Sequence, residues 1–294
     1  MSRPAVAAIS PTARYAHVEG VRLHYLESGF GTPPLVLLPG LASSTVCSWG
    51  QILPLLSEDF RVLALDLPGQ GDSDKPRRNY DLDYAVAATV GFLDALGLHQ
   101  ADFMGTSAGG LVALHTALRH PARVGRLVLV APAGLGPEVN WGLRLASLPL
   151  VGLISTAPWP WLVQRSLCWN FADPSWITAD LVEEYCRVRG LPGAQAALRS
   201  ALGNALSLQG LRPSLVARDR LRELTCPTLV LWGDRDRVLP VAHAQVAQQL
   251  IPTCEVHILA NTGHDPAVER APHVAALVRD FLREVQSPKV KVQS

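Results

Sequence analysis

Short, uninterrupted runs of apolar residues constrain the fold of this chain more than any other feature. They recur between longer segments with helical spacing, at Leu35–Leu38, Val62–Leu65, Leu127–Val130 and Thr228–Trp232. A strand exposed on one face alternates apolar and polar residues, so a continuous run indicates a strand buried on both faces. The pattern predicts an α/β protein with an open, doubly wound, mostly parallel sheet that helices cover on both sides.

The remaining elements follow the same alternation of strand and helix. Further strands are predicted at Val21–Leu26, Ala101–Gly105 and Glu255–Leu259. Helices are predicted at Val46–Leu56, Tyr84–Leu96, Ala108–Arg119, Val241–Leu250 and Pro272–Val285. No helix separates the first two strands, Val21–Leu26 and Leu35–Leu38, and this arrangement fits an antiparallel edge of the sheet.

Residues 135–213 break this rhythm. They contain no convincing buried strand, and several prolines divide them into short helical pieces. Five of the seven tryptophans of the chain fall here, namely Trp141, Trp159, Trp161, Trp169 and Trp176. We therefore expect a helical insertion that sits on top of the sheet.

The segment Gly105-Thr106-Ser107-Ala108-Gly109 has the pattern G-x-S-x-G and lies between a predicted strand and a predicted helix. A tight strand-to-helix turn requires small residues two positions before and after the serine, because a Cβ atom there would collide with neighbouring backbone. Such a turn presents the hydroxyl at a helix N-terminus, where free N–H groups favour developing negative charge. The pattern predicts a nucleophilic Ser107, although a helix that merely starts with small residues would have the same sequence.

A serine hydroxyl is a weak nucleophile, so a base must take its proton and an acid must orient that base. In the chain order associated with this turn, the acid and then a histidine follow the serine, each in a loop after a later strand. Two such loops offer first Asp234 and Asp236, and then His264. Because the carboxyl ends of parallel strands meet at one edge of a sheet, we expect these groups to converge on Ser107.

Together these segments resemble the α/β-hydrolase family of esterases, C–C hydrolases, dehalogenases and epoxide hydrolases. The matching stretches cover nearly the whole chain outside the insertion, and they read LVLLPGLASS, DLPGQGDSDKP, GTSAGG, PTLVLWGDRDRVLP and NTGHDPAVERAP. The resemblance implies an eight-stranded core at residues 1–134 and 214–294 and a helical cap at residues 135–213. It assigns the acid to Asp236, with Asp234 as the alternative, and the histidine to His264.

The resemblance also implies an oxyanion hole made by the backbone N–H groups of Leu41 and Ala108. The family commonly has His-Gly in the first of these two loops, whereas this chain has Pro39-Gly40. The donor is a backbone group and survives this substitution, but the bracing of the loop is left open. Dehalogenases and epoxide hydrolases of the family have an aspartate at the nucleophile position, so Ser107 implies acyl chemistry that needs neither metal nor organic cofactor.

The insertion would roof this site, so its aromatic side chains are predicted to form an apolar substrate pocket. The candidates for this pocket are Trp141, Trp161 and Trp169. Other polar residues near the motifs are expected to have structural roles: Asp66 in a glycine-rich turn and Asp265 as a loop contact. Packing or charge at helix ends is expected for the remaining histidines considered, which are His115, His120, His243, His257 and His273.

Composition excludes several other classes of protein. A net charge of +1, with 17% charged residues, provides no basic stripe for nucleic acid. The histidines and the five cysteines lack the spacing of a zinc site or a disulfide framework, which suits a reducing compartment. The N-terminus is a poor signal peptide and no apolar stretch approaches about 18 residues, so we expect a cytoplasmic protein without a membrane span. The sequence does not indicate an oligomeric state.

The leading hypothesis is a hydrolase that uses water to cleave a carboxylic ester of an apolar or aromatic small molecule. A C–C hydrolase of vinylogous 1,5-diketones is the first alternative, although such enzymes often carry asparagine beside the nucleophile and an arginine in the cap, and neither Thr106 nor the cap matches. Lactonase, perhydrolase and iminopeptidase activities stay open, the last with Glu183-Glu184 as the acidic pair for a free amine. A catalytically idle ligand-binding protein of the same fold is the alternative outside enzymes.

Overall fold

An eight-stranded sheet forms the centre of the computed structural model, which describes residues 11–284. Its strands are β1 (Thr12–Val18), β2 (Val21–Ser28), β3 (Leu35–Leu38), β4 (Val62–Leu65), β5 (Ala101–Thr106), β6 (Val124–Val130), β9 (Thr228–Gly233) and β10 (Cys254–Leu259), while β7 (Leu206–Ser207) and β8 (Gly210–Leu211) form a separate hairpin. The strand order is β1-β2-β4-β3-β5-β6-β9-β10. Strand β2 runs antiparallel to both of its neighbours, and the other pairs are parallel. The predicted doubly wound, mostly parallel sheet of eight strands is confirmed.

Helices cover both faces of this sheet, as continuous apolar strands require. Those outside the insertion are α1 (Thr45–Trp49), α2 (Leu53–Leu56), α3 (Leu82–Ala95), α4 (Ser107–Arg119), α10 (Ala242–Leu250), α11 (Pro266–Glu269) and α12 (Ala271–Glu284). Strand β3 shows the consequence, because its successive side chains enter different cores. Val36 and Leu38 pack in the cluster that contains α3 and α4, and Leu35 and Leu37 pack in the cluster that contains α1 and α12.

The antiparallel edge of the sheet differs from its prediction. It consists of β1 and β2, while β3 pairs in parallel with β4 and β5. Strand β1 was not predicted, because it buries only Ala16 and has no apolar run. The helix predicted at Val46–Leu56 is divided into α1 and α2 around residues 50–52, since Pro54 cannot donate a backbone hydrogen bond within a continuous helix.

Between β6 and β9 the chain leaves the sheet, and most of this insertion is made of short helices. Its helices are α5 (Trp141–Ala146), α6 (Pro149–Ser155), α7 (Pro160–Leu167), α8 (Ala179–Gly190) and α9 (Ala194–Ala205). Prolines occupy the first turns of α6 and α7, where no intrahelical donor is needed. The unpredicted hairpin of β7 and β8 follows α9. A small cluster that includes Cys47, Tyr185 and Val268 packs the insertion against α1 and α11.

Within residues 11–284, no helix combines the length and the hydropathy needed to cross a membrane. The expectations for the N-terminal leader, for Val285 at the end of the last predicted helix and for the tail at residues 287–294 concern residues outside those that the structure describes.

Candidate active site

Ser107 is the first residue of α4 and follows β5 directly. Its φ of +53° lies in the left-handed region, which is unfavourable for a residue with a side chain and indicates a turn held by its surroundings. A Cβ atom on Gly105 would collide with the carbonyl oxygen of Gly109, and one on Gly109 would collide with the carbonyl oxygens of Leu38 and Pro39. The two glycines therefore allow α4 to start in contact with the end of β3.

His264 lies in the loop between β10 and α11, and its side chain is almost completely buried. Its Nδ1 atom is 2.8 Å from Oδ2 of Asp236, and its backbone N–H donates to the carbonyl oxygen of Asn170, in the insertion, at 2.6 Å. Its Nε2 atom is buried and makes no hydrogen bond within residues 11–284. One ring nitrogen is thus fixed by the aspartate, and the other has no hydrogen-bond partner in the described part of the chain.

Asp236 is fixed by several donors in addition to the histidine. Its Oδ2 atom accepts from Nε1 of Trp232 at 2.9 Å, and its Oδ1 atom accepts from the backbone N–H groups of Val238 and Leu239 at 2.7 and 2.9 Å. Asp234 is exposed and instead accepts from the backbone N–H of Thr262. Of the two aspartates that the sequence offered, only Asp236 contacts the histidine.

The electrostatic surroundings of His264 favour its protonated form. Burial disfavours the charged imidazolium, but the Asp236 carboxylate and its hydrogen bond, together with Asp265, raise the pKa of His264 above its ordinary value. An imidazole with a raised pKa is a stronger base, which is the property needed to take a proton from a hydroxyl group.

A cavity of about 360 Å³ lies between the sheet and the insertion. Ser107, His264 and Asp265 border it on the core side, and its walls are mostly small or aliphatic side chains such as Leu111, Leu143, Leu162 and Leu198. A smaller apolar cavity shares part of this wall and extends towards α3. The site therefore suits a substrate that is largely apolar.

The three tryptophans predicted for the pocket have different positions. Trp169 lines the cavity. The ring of Trp141 packs edge-on against the ring of Trp169, with 5.9 Å between the centroids, but Trp141 is 62% exposed. Trp161 is 60% exposed and stacks on Trp159. The prediction for Trp141 and Trp161 is wrong, because the short helices that carry them direct these side chains outwards.

The loop that contains Gly40 and Leu41 also borders the cavity, next to Ala108. It lacks the usual histidine, and serine hydroxyls brace it instead. The Oγ atom of Ser48 accepts from the Gly40 backbone N–H at 3.4 Å and lies 2.9 Å from Oγ of Ser43. These contacts hold the loop beside the start of α4 despite the Pro39 substitution.

Asp66 lies away from the cavity and has the structural surroundings expected for it. Its carboxylate accepts from the backbone N–H groups of Thr45 and Asp72 at 2.7 and 3.0 Å and contacts Nδ1 of His24 at 2.7 Å. Within the described part of the chain, His24, Asp66 and Asp72 are the only His, Cys, Asp or Glu side chains grouped closely enough to hold a metal ion. Asp72 is also paired with both terminal nitrogens of Arg187 at 2.8 Å, so existing contacts already occupy this group.

Two of the other histidines, His115 and His243, have contacts outside the cavity. His115 contacts the carbonyl oxygen of Leu215, and burial lowers its pKa. His243 contacts a carboxylate oxygen of Glu138 at 2.8 Å. These contacts fit the packing roles expected for them.

Two acidic residues connect the histidine loop to the insertion. Asp265 accepts from Nδ2 of Asn170 at 2.8 Å, as expected for a loop contact. Glu269, which the sequence analysis missed, is buried and accepts from the backbone N–H of Gly263 at 2.6 Å and from that of Ala172 at 3.0 Å. The sequence signal for this role is the acidic residue that ends the otherwise apolar helix α11.

The insertion also contains a buried arginine that the sequence analysis did not recognise. Arg189, on α8, lines both cavities and lies over the ring of Tyr185 at 5.4 Å, and burial lowers its pKa. Its Nε atom is buried without a hydrogen-bond partner, and no carboxylate within residues 11–284 pairs with it. Glu184, by contrast, is paired with Arg187 at 2.6 Å and does not line the cavity, so it is not placed to bind a free amine.

A sequence model of the alpha/beta hydrolase family matches residues 35–277. The chain is 35% identical, over 93% of its length and 70% of the relative, to the dihydrolipoyllysine-residue acetyltransferase component of the acetoin cleaving system of Pseudomonas putida. It is 31% identical to the 2-hydroxy-6-oxo-2,4-heptadienoate hydrolase of Pseudomonas putida strain F1, over 90% of this chain and 93% of the relative. A meta-cleavage product hydrolase from Pseudomonas fluorescens IP01 has a similar solved structure, with a TM-score of 0.81, 27% identity, and coverage of 95% of this chain and 99% of that one.

Gly109, two residues after the predicted nucleophile, provides a test of the turn. We expect Gly109→Ala to lower the free energy of unfolding by about 2 kcal/mol or more, because the added Cβ would overlap the carbonyl oxygens at the end of β3. Gly203→Ala, in open space on α9, is the matched control and should raise stability by about 0.5 kcal/mol. Urea unfolding followed by circular dichroism measures both, and equal stability of the two variants would contradict the close approach of α4 to β3.

Proposed function

This chain belongs to the alpha/beta hydrolase family, and we propose that it is a serine hydrolase that cleaves a carboxylic ester of an apolar or aromatic small molecule. One observation carries the proposal: Ser107, in a strained turn, borders the same apolar cavity as a histidine that Asp236 orients. Nε2 of His264 is buried without a hydrogen-bond partner within residues 11–284, so it supports a role as the base that receives the serine proton. A cavity that contained a serine but no such base would instead indicate a binding protein of the same fold.

In the proposed reaction, Oγ of Ser107 attacks the ester carbonyl carbon while Nε2 of His264 takes the hydroxyl proton. The backbone N–H groups of Leu41 and Ala108 stabilise the negative charge that develops on the carbonyl oxygen. The bond to the leaving alcohol breaks as His264 returns the proton to it, which leaves the acyl group bonded to Ser107. Water then attacks this acyl-enzyme with the same base, so that a carboxylic acid is released and the serine is restored.

Labelling with a fluorophosphonate probe tests the nucleophile. We expect wild-type protein to label and Ser107→Ala not to label, because only a serine activated by a neighbouring base reacts with such a probe. Ser166→Ala is the matched control, since Ser166 also lines the cavity but donates its hydroxyl to the carbonyl oxygen of Val163. Wild-type protein that neither labels nor hydrolyses p-nitrophenyl butyrate would contradict the proposal and favour a non-catalytic ligand-binding protein.

The two aspartates after β9 provide a second test. We expect Asp236→Asn to lower kcat on p-nitrophenyl butyrate by about 10⁴-fold, because an amide can hold the imidazole in the wrong tautomer. Asp234→Asn should change kcat by less than about tenfold, since Asp234 contacts the backbone of Thr262 and not the histidine. Steady-state kinetics of the two variants decide the assignment, and the reverse ranking would move the acid to Asp234.

The buried Arg189 favours a second candidate function. Removal of an unpaired cation from water is costly, so a cavity that contains one suits a substrate with an anionic group. A relative is named as a hydrolase of 2-hydroxy-6-oxo-2,4-heptadienoate, which is a carboxylate. We therefore propose C–C hydrolysis of a 2-hydroxy-6-oxo-dienoate as the alternative, with Ser107 attacking the ketone carbonyl and the carbon leaving group taking up a proton. Thr106 in place of asparagine beside the nucleophile still argues against it.

Arg189→Gln distinguishes the two candidates. If the substrate is a dienoate, we expect its KM to rise by about a hundredfold in this variant, because the carboxylate loses its charged partner. Hydrolysis of the uncharged p-nitrophenyl butyrate should change little. Arg187→Gln is the matched control on the same helix, since Arg187 pairs with Asp72 and Glu184 outside the cavity. Equal kinetics of wild type and Arg189→Gln on a cleaved dienoate would exclude this role for Arg189.

A further inference from the structure

The outer face of the insertion carries a concentrated set of exposed apolar side chains. Nine of the fourteen large hydrophobic side chains that are exposed within residues 11–284 lie between positions 141 and 161. They are Trp141, Leu145, Leu148, Leu150, Val151, Leu153, Ile154, Trp159 and Trp161. We refer to these nine as the apolar face. Exposed apolar patches of this kind mark surfaces that contact another molecule.

Helix α6 shows that this exposure is built into the fold. Its one buried residue is Gly152, where a Cβ atom would lie 2.8 Å from the carbonyl oxygen of Ala146 in α5. The helix therefore rests on its neighbour through its smallest residue and directs its larger side chains to solvent. Leu150 is 80% exposed and Ile154 is 55% exposed. A helix in a globular protein ordinarily buries its aliphatic stripe, and α6 does the opposite.

The segment that carries the apolar face contains positive charge and no negative charge. Residues 139–172 contain no aspartate or glutamate, and their only charged side chains are Arg144 and Arg165. Arg165 is exposed and makes no ion pair within the part of the chain that the structure describes. A complementary surface is therefore apolar and either neutral or negative.

These features favour a lipid surface over a second copy of the chain. A symmetric dimer through this face would place an acid-free, arginine-bearing surface against itself, without opposite charges to pair. A bilayer with anionic headgroups offers acyl chains to the aliphatic side chains, phosphates to the arginines and an interface that tryptophan prefers. We propose that the apolar face docks this protein on the surface of a lipid bilayer that contains anionic headgroups, with α6 lying in the interface.

This docking would bring the catalytic cavity close to the lipid. Other residues of α5 and α7 line that cavity, including Leu143 and Ala146 on α5 and Leu162 and Ser166 on α7. Apolar substrates that partition into the bilayer would then reach the cavity wall without first dissolving in water. The inference goes beyond the proposed function, and it does not depend on which bond the protein cleaves.

Co-sedimentation of the full chain with vesicles tests the proposal. We expect binding to vesicles of phosphatidylcholine with phosphatidylglycerol, and weaker binding to phosphatidylcholine alone. The variant Leu150→Glu/Ile154→Glu should lower the partition coefficient about tenfold or more, because it removes buried apolar area and adds negative charge at the lipid surface. Ile258→Glu is the matched control and should bind like wild type, since Ile258 is 50% exposed on the edge strand β10 and is not part of the apolar face.

The same preparations provide the outcomes that overturn the proposal. Failure of the wild-type chain to bind either kind of vesicle would do so, as would equal binding by the double variant. Sedimentation velocity tests whether a second copy of the chain binds this face instead. If the wild-type chain is a dimer and the double variant is a monomer, the face is a contact between copies of the chain. Fluorophosphonate labelling of both variants shows that they remain folded and separates failure of docking from failure of the proposed chemistry.

Discussion

The contact between the start of α4 and the end of β3 is the constraint on which the candidate site depends. Gly109 lies against the carbonyl oxygens of Leu38 and Pro39, where no side chain could fit. This contact forces the chain to turn sharply after β5, and Ser107 takes a left-handed conformation as a result. It also brings the loop after β3 beside Ala108, so one steric requirement positions both the hydroxyl and the two backbone donors of the proposed oxyanion hole.

The parts of the fold that could be predicted are those where burial leaves a simple pattern. Strands buried on both faces are continuous apolar runs, and this pattern alone predicts β3, β4 and β9. Strand β1 escaped because it lies at the exposed edge, where pairing to β2 and not burial maintains the strand. Within the insertion, proline positions indicated short helices, but the sequence of a helix of six to eight residues does not show which side faces inwards. For that reason the outward direction of Trp141 and Trp161 could not be predicted.

A similar limit applies to the polar residues of the site. The order of Ser107, Asp236 and His264 along the chain follows from the alternation of strands and loops, so their convergence could be anticipated. The choice between two aspartates within one loop could be argued only from resemblance, because it depends on which carboxylate faces Trp232 Nε1 and the histidine ring. Glu269 and Arg189 belong to no sequence pattern. Glu269 matters because it accepts from the distant Ala172, and Arg189 because its buried Nε atom has no partner within residues 11–284.

The contacts of Glu269 limit how far the sequences of the insertion and of the core can diverge independently. One buried carboxylate accepts from Gly263, next to the histidine, and from Ala172 and Asp173 in the insertion, while the histidine backbone itself donates to Asn170. The insertion therefore cannot be exchanged freely for the insertion of another protein. A chimera that replaced residues 135–213 with an insertion from another protein would leave this carboxylate buried with fewer donors and the His264 loop without its acceptor, unless the new segment supplied the same backbone path at residues 170–173. The outward and cavity-facing side chains of the insertion can change independently of the core, whereas the backbone at residues 170–173 must be kept together with the His264 loop.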